Sequence, residues 1–328
     1  MKTFNKHTLK NKRNSADNLA DLVAKEIFDS HKENLKELLS WLNASTDALP
    51  MATEKVIQNY LESVELPLWA DKDKMQTSAY FYKKNEKAIL FLLGTLSLPY
   101  CYAASKGVKV LFRSQRLHND ALKRLTETAI FVKRANEFQE NNIQEWKNNI
   151  LKIRLLHAFA RLLVGAQDWN EQDWGKPINQ EDMAGTNLSF SYIVLKGMRK
   201  MNITYTHKEA DSFLHLWNVI GSLMGVDEDL LPDTLQEAYW LDKMIAETEF
   251  EESEEGKILT KSLMQVYESQ SPTKPVAFYF IAQMRFLLGE RIANMLKIPA
   301  INTIIPMPII NSLGVENWLL PAPEYFMK

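Results

Sequence analysis

Apolar residues recur along this chain at steps of three and four residues, and this spacing most constrains the fold. Leu19, Leu22, Val23 and Ile27, for example, fall on one face of a helix. Similar stripes recur near residues 117–140, 147–167, 187–201, 207–224, 232–249 and 275–297. The chain has no convincing strand-type alternation and no Asn-Gly or Asp-Gly hairpin turn. The pattern therefore predicts an all-α fold.

The breaks between the stripes are short, and several contain proline, as at 66–69, 231–232 and 271–272. None has the composition of an interdomain linker, and no unit of about 20–50 residues repeats. We predict a polar N-terminal tail over residues 1–15 and a single helical domain over residues 16–328. A helical domain of this length can enclose a ligand cavity.

Charge and cysteine content exclude several classes of function. The chain carries 39 lysines and arginines against 41 aspartates and glutamates, so it lacks the basic excess of nucleic-acid-binding proteins. Its single cysteine, Cys101, cannot form an internal disulfide. One cysteine also excludes cysteine-based zinc sites and iron–sulfur clusters. A reducing cytoplasm is therefore the expected location.

The sequence predicts no transmembrane segment. The N-terminal residues lack the apolar region and the cleavage site of a signal peptide. The most apolar stretch, 88–104, is uncharged, but it is at the short limit for a membrane span and contains Gly94 and Pro99. We interpret this stretch as a buried core helix.

Among the six histidines, His157 has the surroundings that most suggest chemistry. It lies in a markedly apolar helical stretch, with Arg154 three residues before it and Arg161 four residues after it. A haem would suit this face, because imidazole ligates iron and guanidinium groups pair with propionates. Alternatively, the arginines pair with glutamates on a neighbouring helix and His157 simply packs. The spacing alone leaves both interpretations open.

A polar segment at 174–186 is the second candidate for a pocket wall. Pro177 fixes the start of this segment, Asn179 can cap a helix, and Asp182 lies near the positive end of that helix. Capping explains much of the polarity, so the signal for a pocket is weak by itself. The chain has no P-loop, no GxGxxG and no G-x-S-x-G elbow. Without a Cys-x-x-Cys-His motif, any haem would be held non-covalently.

Several spaced motifs together resemble the MpaB-like oxygenase family, which includes bacterial rubber oxygenases. The segments that carry the resemblance are 66–71, 96–100, Arg124 with Thr128, His157 with Arg161, and 175–182. The similarity covers roughly residues 65–300. This resemblance implies a helical fold that holds a non-covalent b-type haem, with His157 as the axial ligand of the iron.

The resemblance also implies roles for residues around the haem. Arg124 and Thr128 match the arginine and threonine that family members place near it, and Glu127 stands where the rubber enzyme has a lysine. Arg154, Arg161 and Arg285 are expected to be propionate or pocket partners. Asn179 and Gln180 are expected to contribute to cofactor binding.

The sequence therefore predicts a cytoplasmic haem b-dependent oxygenase that uses O2 on an apolar, unsaturated or prenyl-like substrate. Glu127, together with the lack of a match for the rubber enzyme's proposed catalytic base, motivates an alternative. In that alternative the protein binds haem or lipid without turnover. A purely structural helical interaction module is the third interpretation. The substrate and the oligomeric state cannot be read from the sequence.

Overall fold

The computed structural model describes residues 2–43, 51, 53–113 and 121–300. Within these residues the regular elements are helices, apart from one isolated antiparallel bridge between Ala104 and Phe250. This confirms the all-α fold class. The helices are α1 Lys6–Lys12, α2 Asn18–Ser30, α3 Leu35–Asn43, α4 Glu54–Ser63, α5 Lys72–Leu92, α6 Leu98–Tyr102, α7 Val108–Arg113, α8 Ala121–Asn136, α9 Ile143–Gly165, α10 Glu171–Trp174, α11 Gln180–Phe190, α12 Tyr192–Lys200, α13 His207–Leu223, α14 Leu235–Glu249, α15 Glu254–Gln270, α16 Lys274–Leu288 and α17 Glu290–Met295.

Side-chain caps fix where several of these helices begin. Thr206 and Glu209 form a reciprocal capping box at the start of α13: each side chain accepts a hydrogen bond from the other residue's backbone N–H. Asn179 caps α11 by accepting a hydrogen bond from the backbone N–H of Asp182 at 3.0 Å. The helix cap predicted at Asn179 is therefore confirmed.

Three of the apolar stripes are broken into pairs of helices. The stripe near 187–201 divides at Ser191, whose hydroxyl donates to the Asn187 carbonyl at 2.8 Å and whose backbone leaves the helical region. The stripe near 275–297 divides at Gly289, where φ is +81°. The stripe that begins at Leu19 continues through Leu35 to Leu42, and it divides at His31, between α2 and α3. A continuous apolar face therefore does not require one continuous helix.

The apolar stretch at 88–104 lies in the core, as predicted. It comprises the end of α5, a π-helical turn over Leu93–Ser97, and α6. Its largest side chains are buried, and α5 packs along α13 through ring contacts such as Phe81 with Phe213. Across the described residues, no helix combines the length and the apolarity that crossing a bilayer requires.

The N-terminal residues fold onto the domain, in contrast to the expected polar tail over residues 1–15. Helix α1 buries Leu9, which is 1% exposed, and Lys12 forms ion pairs with Asp227 and Asp229 at 2.8 and 2.7 Å. Arg13 is also buried. The segment is rich in charged residues, but in the folded protein these groups pair with residues that are distant in the sequence.

Candidate functional site

A large cavity of about 2190 Å³ lies inside the helical domain. It is bordered by α3, α8, α9, α11, α13 and α15, and most of its walls are apolar. Side chains such as Phe131, Leu156, Leu188, Phe190 and Trp217 line it. A cavity of this size can take a cofactor and an apolar ligand together.

His157, on α9, borders this cavity and is the one histidine that does so within the described part of the chain. Neither ring nitrogen makes a hydrogen bond to a described residue, and Nδ1 is buried. Burial, followed by the positive charges of Arg161 and Arg124, lowers the pKa of His157 to about 4. The imidazole is therefore neutral at pH 7, which is the form that binds metal ions.

Arg124, Glu127 and Thr128 lie opposite His157 on α8, and all three line the cavity. Helices α8 and α9 run antiparallel, because a six-residue connection joins them and the indole N–H of Trp146 donates to the Ala135 carbonyl at 3.0 Å. Because Ala135 lies beside Trp146 in this antiparallel pair, Arg124 and His157 lie at the same height along the two helix axes.

The polar groups of α8 also contact one another. The Arg124 guanidinium lies 3.6 Å from the Glu127 carboxylate, and the Thr128 hydroxyl donates to the Arg124 carbonyl at 2.8 Å. The structure thus brings together four of the residues singled out in the sequence: His157, Arg124, Glu127 and Thr128.

Arg154 and Arg161 do not line the cavity and have other partners. Arg154 donates to both carboxylate oxygens of Asp17, at 2.6 and 2.7 Å, and Arg161 donates to Asp21 at 2.6 Å. Both guanidinium groups are buried against α2. Carboxylates of a neighbouring helix therefore neutralise both arginines, although these are aspartates rather than glutamates. The pairing with propionates expected from the resemblance stays a prediction.

Asn179, Gln180 and Arg285 also lie outside the cavity lining. The Gln180 amide joins two loops by donating to the Ala16 and Gly225 carbonyls at 3.1 and 2.8 Å. Asn179 caps α11, and Arg285 holds the chain after α17 by donating to the Ile298 carbonyl at 2.6 Å. Their polar groups are used in structural hydrogen bonds, and the cofactor-binding roles expected for them stay predictions.

An acidic wall of the cavity was not identified from the sequence. Glu181, Asp182 and Glu249 line the cavity and surround the Arg13 guanidinium, with N–O distances of 3.2, 3.0 and 2.9 Å. Burial and the charge of Glu249 raise the pKa of Glu181 to about 7. Glu181 and Asp182 belong to the 175–182 motif, but Arg13 lies 168 residues before Glu181, so no local pattern shows the cluster.

Comparisons with known proteins assign this chain to a family. The helices surround a large, mostly apolar cavity, which is the kind of space in which proteins bind small molecules. Residues 89–304 match the family model described as "ER-bound oxygenase mpaB/B'/Rubber oxygenase, catalytic domain". This match covers more than half of the chain, which therefore belongs to that family.

Individual relatives agree with this assignment. The rubber oxygenase of Streptomyces sp. (strain K30) is 23% identical over 323 residues, which cover 94% of this chain and 77% of the relative. The solved structure of latex clearing protein LCP in the closed state matches with a TM-score of 0.70 at 21% identity. That match covers 94% of this chain and 82% of the LCP chain, and it shows a shared helical fold.

Proposed function

We propose that this protein is a haem b-dependent oxygenase that uses O2 to oxidise an apolar, unsaturated or prenyl-like substrate. The observation that carries the proposal is the neutral, unpartnered imidazole of His157 on the wall of an apolar cavity. Membership of an oxygenase family supports the type of reaction. The name of the Streptomyces relative supports an apolar substrate.

The residues around the cavity fit a haem. His157 offers a neutral imidazole with no competing hydrogen bond in the described chain, and the volume of about 2190 Å³ leaves room beside a porphyrin. No group of three or more histidine, cysteine, aspartate or glutamate side chains among the described residues is arranged to hold a bare metal ion. A histidine on an apolar pocket wall is one of the arrangements by which proteins hold haem iron. When bound, haem b would supply the iron that activates dioxygen.

The chain's own residues would then perform three tasks. His157 would hold the iron through its imidazole. Arg124, level with His157 on the facing helix, would hold a propionate or orient dioxygen. The apolar walls, including Phe190 and Trp217, would bind the substrate and exclude water. The low pKa of His157 keeps the ring available as a ligand across the physiological pH range.

Reconstitution with haemin tests this proposal. We expect the full-length protein to bind one haem and to show a Soret band, and we expect His157→Ala to lose that band or shift its position. His207→Ala, which changes an exposed histidine at the start of α13, serves as the matched control and is expected to keep the wild-type spectrum. A wild-type protein without a Soret band, or an unchanged spectrum in His157→Ala, would contradict the proposal.

A non-catalytic haem- or lipid-binding protein is the second candidate, and Glu127 favours it. A carboxylate lies on the cavity wall 3.6 Å from Arg124, where the resemblance leads one to expect a lysine. Oxygen uptake by the haem-loaded protein distinguishes the two candidates. Consumption of O2 with squalene, terpenoid alcohols or unsaturated lipids supports the oxygenase, whereas stable haem without uptake supports the binding protein.

We also propose a cytoplasmic location. The single cysteine, Cys101, is compatible with a reducing compartment, and no structural disulfide is formed. Cell fractionation with an antibody against the untagged protein tests the location.

A further inference from the structure

We propose that the side-chain amide of Asn187 binds a neutral oxygen group of the ligand, a hydroxyl or a carbonyl, on the cavity wall formed by α11 and α13. The ligand would then be an apolar molecule with one uncharged oxygen group rather than a pure hydrocarbon or an acid. Binding of that group does not require haem, whereas the idea that the bound molecule is oxidised rests on the proposed function.

The packing of α11 against α13 places Asn187 on the cavity wall. A Cβ added to Gly221 would lie 3.1 Å from Nδ2 and 3.2 Å from Cγ of Asn187, so the amide lies directly against the backbone of α13. One turn further along α11, the ring centres of Phe190 and Trp217 are 5.5 Å apart. All four residues line the cavity. These two contacts join the amide and the aromatic pair into one section of the wall.

The amide of Asn187 is buried without a hydrogen-bond partner. The residue is 8% exposed, and its backbone carbonyl accepts from the Ser191 hydroxyl at 2.8 Å. Its side-chain oxygen and nitrogen, in contrast, make no hydrogen bond to any residue of the described ranges. A buried amide is unfavourable unless another group satisfies it, so native proteins rarely leave one unpaired. We infer that a ligand in the cavity supplies the missing partner.

Other buried or half-buried polar side chains of the cavity and its helices are satisfied within their own helix. The hydroxyls of Thr186 and Ser189, which line the cavity on either side of Asn187, donate to carbonyls one turn earlier in α11 at 2.8 and 2.9 Å. The buried amide of Asn136 on α8 donates in the same way to the Val132 carbonyl at 2.8 Å. The unpaired amide of Asn187 is therefore not a general property of asparagine in these helices.

The chemistry of an amide defines the group that it would bind. Its N–H groups donate to a carbonyl or hydroxyl oxygen, and its oxygen accepts from a hydroxyl. The amide carries no charge, so it cannot offset the cost of removing a carboxylate or a phosphate from water. The rings of Phe190 and Trp217 offer apolar contacts for the carbon skeleton beside the oxygen group. A terpenoid alcohol or aldehyde combines these features.

A hydrogen bond at Asn187 would also fix the position of the ligand in the cavity. Apolar walls alone allow a hydrocarbon to slide, because hydrophobic contacts are not directional. A ligand that is held by its oxygen group can present only one part of its skeleton to the reacting centre. On the proposed function, Asn187 would therefore determine which double bond is oxidised.

Calorimetric titration of the full-length protein, with and without haem, tests the proposal. The ligands are myrcene, geraniol, citral and geranate below their solubility limits, which share one carbon skeleton and carry no oxygen, a hydroxyl, a carbonyl and a carboxylate. The four ligands differ in hydrophobicity, so the informative quantity is the change in the ratio of their dissociation constants between variants. Geraniol and citral distinguish a hydroxyl from a carbonyl as the preferred group.

Variants of one residue link the preference to the amide. We expect Asn187→Leu, which has a similar size, to weaken binding of geraniol or citral about two- to tenfold relative to myrcene. Asn187→Ala removes the amide without adding volume and is expected to change the ratio in the same direction. Asn149→Leu, the same change at a half-buried asparagine that lines the cavity on α9, is the matched control and should keep the wild-type ratio.

Three results would overturn the proposal. The first is a ratio that both Asn187 variants leave unchanged, because the amide would then meet only water. The second is tighter binding of geranate than of geraniol to the wild-type protein. The third is weaker haem binding in Asn187→Leu with an unchanged terpenoid ratio, because the amide would then contact the cofactor.

Failure of the proposed function gives a different result. A protein that shows the amide-dependent preference but never binds haem retains the Asn187 site and loses only the haem assignment.

Discussion

Asp17 accepts hydrogen bonds from Nε and Nη2 of Arg154 at 2.6 and 2.7 Å, although 137 residues separate the two. The same aspartate caps α2 by accepting from the Ala20 N–H at 3.3 Å. One buried carboxylate therefore fixes both the start of α2 and the rotation of α9, which carries His157 three residues further on. This pair therefore orients the helix that bears His157, although neither of the two residues lines the cavity.

We expect Asp17→Asn to destabilise the protein by about 3–5 kcal/mol, because the buried guanidinium of Arg154 loses its counter-charge. Urea denaturation measures the loss. Asp29→Asn, an exposed aspartate near the end of the same helix, is the matched control and should change the free energy of unfolding by less than about 0.5 kcal/mol. Equal effects of the two substitutions would show that the Asp17–Arg154 pair contributes nothing specific.

Gly225→Ala should also disturb the ion pair between Asp17 and Arg154. The glycine has a φ of +84°, and an added Cβ would lie 2.6 Å from a carboxylate oxygen of Asp17 and 2.9 Å from Nε of Arg154. Backbone strain and the clash together should cost about 2–4 kcal/mol. Gly165→Ala, where nothing lies within 4 Å, should be neutral or slightly stabilising. The two effects are compared by thermal unfolding, and a neutral Gly225→Ala would contradict the packing described.

A third prediction concerns the π-helical turn in the core. An added Cβ at Gly94 would clash with the Tyr267 hydroxyl, which is buried without a hydrogen-bond partner among the described residues. We expect Gly94→Ala to destabilise by about 1–3 kcal/mol. Tyr267→Phe should be neutral or stabilising by up to about 1 kcal/mol, because it removes an unsatisfied polar group while its ring still stacks on Phe280.

The double variant supplies the control for this contact. If the hydroxyl causes the clash, Tyr267→Phe should recover much of the stability that Gly94→Ala loses, with a coupling of about 1 kcal/mol or more in a double-mutant cycle. If the free-energy changes of the two substitutions are strictly additive, the Tyr267 hydroxyl is not the cause of the strain in the π-helical turn.

The acidic wall should make stability depend on pH. The pKa of Glu181 is raised from 4.5 to about 7, first by burial and then by the charge of Glu249. The folded chain therefore holds a proton that the unfolded chain releases. The contribution of this carboxyl to stability is complete below its unfolded pKa and is lost as the pH rises through about 7.

Glu181→Gln should remove this loss of folding stability at higher pH. Relative to wild type, the variant should gain about 1–3 kcal/mol as the pH is raised from about 5 to about 8. Urea denaturation at several pH values measures the difference. Glu251, just after α14, is exposed, and the free energy of unfolding of Glu251→Gln should depend on pH as that of the wild type does. A constant difference between Glu181→Gln and wild type would mean that Glu181 is already ionised throughout.

The sequence was sufficient for the all-α fold class, and four of the residues that it singled out line the cavity, although their roles stay predictions. Apolar steps of three and four residues predicted the helices because burial of one face is a local property. His157 stood out because an ionisable ring lies within an apolar stretch. Arg124 and Thr128 followed from a resemblance, and their spacing of four residues places them on one helix face.

Other features could not be predicted because they depend on contacts between distant parts of the chain. Arg154 and Arg161 pair with Asp17 and Asp21, which lie 137 and 140 residues earlier. Gln180 binds the Gly225 carbonyl, which no pattern near residue 180 indicates. Arg13 was assigned to a tail because the carboxylates around it belong to α11 and α14.

The packing of the N-terminal segment has a consequence for the order in which the protein is completed on the ribosome. Arg13 is synthesised more than 200 residues before Glu249, a delay of roughly ten seconds or more at ordinary translation rates. During this interval Arg13 has no carboxylate of α14 with which to pair. Arg13 therefore gains its carboxylate partner on α14 only when most of the chain has been made, so the acidic wall of the cavity is completed late in synthesis.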